Sequence, residues 1–84
     1  MEKKKQSRET QSNQYSFESA YPNIARWVMD GWIEIGYESY TDSFIRALDE
    51  GGMVWEGKNK YTMLEDALKD LDRGVAKWLE ENGG

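Results

Sequence analysis

From Thr62 to Asn82 the sequence admits essentially one local structure. Leu64, Leu68, Leu71, Val75 and Trp78 recur at alternating steps of four and three, and Ala67 and Leu79 widen the stripe. That spacing predicts one long amphipathic helix. Thr62, with Glu65 three residues later, forms a capping box that satisfies orphan backbone donors at the helix start. Gly83 stands where a left-handed residue closes a helix. Such a helix buries its stripe only against something else, so the residues before it are read as the surface it covers.

Three short segments supply that surface. Trp32 to Glu38 alternates, with Ile33, Ile35 and Tyr37 on one face and Glu34, Gly36 and Glu38 on the other, the pattern of a half-buried strand. Ser43 to Asp49 is a second strand, with Ile45 and Ala47 on one face and Phe44, Arg46 and Leu48 on the other. Asp49-Glu50-Gly51-Gly52 is a hairpin signal, because glycine reaches positive φ without steric cost. Met53 to Glu56 then makes a third strand, joined to the helix by Gly57 to Lys60. Upstream, Pro22 and an N-cap at Asn23 introduce a short helix over residues 24–29 that Gly31 stops, although Trp27 and Val28 suit a strand as well.

Residues 1–19 are polar apart from Met1, Tyr15 and Phe17, too little apolar surface to offset the entropy of ordering, and are expected to be a disordered tail. Residues 20–84 then form one small domain. The expected class is α+β: a short N-terminal helix, a three-stranded antiparallel meander, and a long C-terminal helix packed on one sheet face. Gly74 interrupts that helix at a cost of about 1 kcal/mol relative to alanine. It implies close approach of the helix to the sheet or to Trp27, or else a helix–helix contact across a dimer.

Composition narrows the chemistry. There is no histidine and no cysteine, which removes the commonest general base, the best nucleophile, disulfides and thiolate metal sites. Asp66, Asp70 and Asp72 are expected on the solvent face of the long helix beside Lys69 and Arg73, as ordinary solvated charge. The Asp-x-Asp at 70–72 does not continue as a calcium loop. The sequence therefore points to no enzyme, no cofactor and no metal. No apolar run is long enough to cross a membrane, and the basic start lacks the apolar segment of a signal peptide, so a cytoplasmic protein is expected. The net charge is −5, with residues 1–20 at +1 and the remainder at −6. An acidic body of this kind repels phosphate backbones.

Two features suggest binding. Four tryptophans and five tyrosines are many for 84 residues, and each buried aromatic removes roughly 150–250 Å² from water. If the long helix covers one sheet face, Trp32, Phe44 and Leu48, with Met53 and Trp55, fall on the other. There they either join one compact core with the short helix or form a partner-binding patch. Separately, Trp55 followed by Lys58 and Lys60 interleaves aromatic and basic residues, the arrangement that stacks bases and neutralises phosphates.

The run Leu48-Asp49-Glu50-Gly51-Gly52, then Met53 to Gly57, then Thr62-Met63-Leu64-Glu65-Asp66-Ala67-Leu68, ending at Lys77-Trp78-Leu79-Glu80-Glu81, resembles the N-terminal domain of HicB-type antitoxins. The similarity covers residues 43–81, with residues 58–60 as an insertion. It implies strands followed by a capped helix, and a non-enzymatic protein that binds a partner. The overall expectation is a small non-catalytic protein–protein interaction module, antitoxin-like in binding a protein partner or a second copy of itself. The alternative is a nucleic-acid-associated regulator using Trp55, Lys58, Lys60 and the basic tail.

Overall fold

The computed structural model describes residues 16–83. Six elements follow one another: α1 (Phe17–Ala20), α2 (Pro22–Trp27), β1 (Trp32–Ile35), β2 (Ile45–Asp49), β3 (Gly52–Glu56) and α3 (Leu64–Glu81). The sheet is an antiparallel meander in the order β1-β2-β3. The α+β architecture expected from the periodicities is the one observed.

Of the expected tail, residues up to 15 lie outside the described part. Ser16 caps the single turn of α1 through a hydrogen bond from the Ser19 amide, 3.1 Å. The Phe17 ring lies tilted against that of Tyr21, 5.0 Å between ring centroids.

The core forms where α3 crosses the sheet. Ala67, Leu71 and Val75 are fully buried, and with Ile45 and Ala47 of β2 and Ile24 and Trp27 of α2 they make one cluster. Burying a leucine or valine contributes roughly 1.5–3 kcal/mol. Helix α2 packs on α3, and Trp27 meets Trp78 edge to face at 5.3 Å. The Trp27 indole N–H is shared by the Trp32 and Leu48 carbonyls, each 3.2 Å away, so α2 is pinned to one end of the sheet.

Both helix starts differ from the expectation. The capping box does not form: α3 begins one residue later, with Met63 as N-cap and no side-chain capping bond. Glu65 and Asp66 in the first turn favour the positive end of the helix dipole. At the other end Gly83 adopts φ of 77°, as its position predicted.

In α2 the N-cap is Tyr21, Pro22 sits inside the first turn, and Asn23 is not the cap. The cap comes from another helix. One Asp72 carboxylate oxygen accepts the backbone N–H groups of Asn23 and Ile24, both at 2.9 Å, and the other accepts the Asn23 side-chain amide at 3.0 Å. Asp72 is therefore no solvated surface charge but the donor-satisfying group for α2. Asp72→Ala is expected to lower the unfolding free energy by about 2 kcal/mol in urea titrations, with an unchanged m value.

Strand β1 is shorter than expected. It stops at Ile35 because Gly36 takes φ of 115°, a conformation open to glycine, and turns the chain out of the sheet plane. The Gly36 N–H still reaches the Phe44 carbonyl at 2.6 Å. Strand β2 starts only at Ile45, because the chain bends at Phe44.

Candidate protein-docking face

The register assigns side chains to the two sheet faces. Ile33 pairs with Ala47, and Ala47 with Trp55; this row lies under α3. The opposite face has two rows. Trp32, Leu48 and Met53 are paired across the three strands at the hairpin end, and Glu34, Arg46 and Glu56 are paired next to them. Neither α2 nor α3 covers this face.

A loop covers the charged row. The Arg46 guanidinium is fully buried and bonds on three sides: Nε to Glu34 Oε1 at 3.0 Å, Nη1 to the Ser43 carbonyl at 2.7 Å and its hydroxyl at 3.2 Å, and Nη2 to the Gly36 carbonyl at 2.8 Å. It also lies 5.6 Å from the centre of the Tyr40 ring, close enough for a cation–π contact. The Tyr40 hydroxyl donates to Glu34, and the Thr41 hydroxyl to Glu56. Residues 37–42 are thus strapped over the Glu34–Arg46–Glu56 row. In the apolar row beyond it Leu48 is buried at the centre, while Trp32 is 46% and Met53 39% exposed.

Of the residues singled out from the sequence, the structure brings Trp32 and Leu48 together on this face, with Met53. It does not place Phe44 or Trp55 there. Phe44 lies before the strand, so alternation does not govern it. Its ring meets Tyr37 at 5.5 Å and Tyr61 at 6.2 Å, beside the start of α3. Trp55 is on the helix face, half-buried, with its indole where a Cβ on Gly74 would stand. Gly74 is therefore explained by close approach of α3 to the sheet.

Lys58 and Lys60 lie at the far end of the sheet from Trp32. The Lys58 ammonium sits 5.1 Å from the Tyr61 ring centre, and Lys60 borders a shallow depression with Glu38 and Asp42. The Tyr61 hydroxyl accepts the Lys58 N–H at 2.9 Å and donates to Asp70 at 2.5 Å. Burial raises its pKa above the ordinary tyrosine value, and the bond to Asp70 raises it further. Asp70 also pairs with Arg73 at 3.6 Å, so it too is more than solvated charge. This cluster ties the β3–α3 connection to the helix.

No family model, curated protein or solved structure matches this chain.

Among the described residues no group of three or more acidic, histidine or cysteine side chains is arranged to hold a metal ion. No described helix is long and apolar enough to cross a membrane. Arg46 and Tyr40 are the residues that sequence reading missed. Their signal was the charge pattern itself, since an arginine placed between acids on both neighbouring strands becomes visible once the register is known.

Proposed function

We propose that this chain is a small non-catalytic protein–protein interaction module that works in the cytoplasm and docks its partner on the helix-free sheet face. One observation carries the reading: the Trp32–Leu48–Met53 row is left uncovered by both helices, with its two outer side chains accessible. Trp is an established anchor of such surfaces, and Met adapts to irregular partners. A charged clip beside the row fixes the strands without adding mobile side chains, which lowers the entropy lost on docking. The similarity to HicB-type antitoxins supports the same non-enzymatic, partner-binding role.

The nucleic-acid alternative is the weaker reading. Trp55 packs on α3 and is not free to stack a base, and residues 21–84 carry the acidic excess. The test is affinity capture from the native host with the wild-type chain and a Trp32→Ser/Met53→Ser double variant. The wild type is expected to recover a protein, or a second copy of itself, in a nuclease-insensitive manner. The double variant is expected to lose at least about 90% of it, equivalent to roughly 1.4 kcal/mol or more. Equal capture by both chains would overturn the reading.

A further inference from the structure

Among the described residues neither outer edge of the sheet is paired, and the two edges are not alike. On β3 the pairing Ala47↔Trp55 and Leu48↔Met53 leaves Val54 without a partner, a register irregularity of the kind that protects an edge from further pairing. On β1 the register with β2 is unbroken. Its four residues, Trp32 to Ile35, include no lysine, no proline and no bulge, so only its shortness and Glu34 guard it against pairing.

The direction of its hydrogen bonds follows from one contact. Gly36 and Phe44 stand opposite each other one step beyond Ile35↔Ile45, and they are hydrogen bonded. Antiparallel pairs alternate, so Glu34↔Arg46 and Trp32↔Leu48 are the other bonded pairs. The N–H and C=O groups of Ile33 and Ile35 therefore point out of the sheet at the free edge. No described residue is hydrogen bonded to them. Ile35 is 50% exposed. Beyond Gly36 the edge runs into a cleft lined by Tyr37, Phe44, Tyr61, Met63 and Leu64.

Charge gives the second constraint. Between Trp27 and Ile45 every charged residue is acidic: Asp30, Glu34, Glu38 and Asp42. Arg46 neutralises Glu34. The other three are exposed; among the described residues none is in an ion pair, and Lys60 is the one cation bordering Glu38 and Asp42. A second copy pairing through this edge would bring like charges together. A basic strand would not.

We infer that the free edge of β1 is a strand-addition site for an extended segment of another protein in which lysine or arginine alternates with apolar residues. Its backbone pairs with Ile33 and Ile35, its apolar side chains lie beside these two on the helix side, and its cations answer the acidic charge that residues 28–44 carry around this edge. This rests on the protein-interaction reading and names the chemistry of the partner.

The experiment uses the full chain and a labelled peptide of about nine residues alternating lysine and valine, with a glutamate/valine peptide as control. Anisotropy titrations are expected to show the lysine peptide binding at least about tenfold tighter, and weakening as salt rises from about 0.05 to about 0.5 M. Amide exchange at Ile33 and Ile35, fast in the free protein, is expected to slow by about tenfold or more with the lysine peptide bound. Ile35→Pro removes an outward N–H and leaves the β1–β2 ladder whole, so it is expected to weaken binding by about tenfold. The exchange measurement needs no variant and stands if that one fails to fold. Absence of binding, equal binding of the glutamate peptide, or binding that leaves the Ile33 and Ile35 amides unprotected would each overturn the proposal. Loss of partner capture in the Trp32/Met53 variant alongside any of these results keeps the docking face and removes the edge. Undiminished capture in that variant removes the docking-face reading itself.

Discussion

Gly74→Ala is expected to destabilise this protein, although the same replacement in an exposed helix stabilises it. Alanine gains about 1 kcal/mol of helix propensity over glycine. At position 74, however, the added Cβ falls onto the indole of Trp55. On its other side the ring closes on Gly57, its far corner, Cη2, lying 2.9 Å from where a Cβ on Gly57 would stand. Trp55 is thus held between two glycines, one on α3 and one just after β3. Overpacking of this kind costs about 1–3 kcal/mol, so after the helix gain is deducted the expected net change in urea unfolding is a loss of up to about 2 kcal/mol. Gly74→Val, with a branched side chain, is expected to lose more. The decisive comparison is Trp55→Ala, itself costly by about 3–5 kcal/mol. In that background Gly74→Ala has space and is expected to become stabilising, a coupling of about 1–3 kcal/mol between the two sites. A Gly74→Ala variant more stable than wild type would show that α3 and β3 are not in this contact.

What the sequence made legible was periodicity. The stripe from Leu64 to Trp78 located α3, and the Asp49–Gly52 signal located the hairpin. Alternation puts Ile33 on one face of its strand and Ile45 and Ala47 on one face of theirs, and all three pack in the core under α3. What it did not reveal were departures from period two and contacts between distant residues. A bend at Phe44 and an unpaired residue at Val54 moved two of the six candidate site residues to the helix side. Single-sequence reading has no access to a bulge, because nothing in Met53-Val54-Trp55 distinguishes a regular strand from an irregular one. The caps were missed for a related reason. Asn23 looks like a local N-cap, but the group that satisfies α2 is Asp72, 49 positions away. Local rules describe where a donor is left open; the tertiary fold decides which acceptor fills it.

Arg46→Ala is expected to have the largest effect of any single substitution on this face, and its consequences should be uneven. Arg46 bonds the Gly36 carbonyl at the end of β1 and the Ser43 carbonyl ahead of β2, so one side chain joins both ends of the 37–42 loop. Truncation leaves two carbonyls without their donor, empties a buried volume, and strands the Glu34 carboxylate. Breaking a fully buried pair costs about 3–5 kcal/mol. Glu34 keeps 33% of its side-chain surface in water, which discounts the penalty to about 2–4 kcal/mol. Arg46→Met restores the volume but not the donors and should recover part of the loss. Arg46→Lys retains the charge yet lacks the planar fork, so it cannot reach Glu34, Gly36 and Ser43 together. It should rank between methionine and wild type. Amide exchange across residues 37–43 should accelerate in all three variants, while the amides of α3 follow global stability alone. The discriminating result is salt dependence. A surface pair would fade as ionic strength rises, whereas a desolvated clip should cost the same at low and high salt. An Arg46→Met variant within about 0.5 kcal/mol of wild type, with unchanged loop exchange, would show that the loop holds its place without the arginine. The Trp32–Leu48–Met53 row would then owe its neighbouring rigid surface to Tyr40 and Thr41 instead.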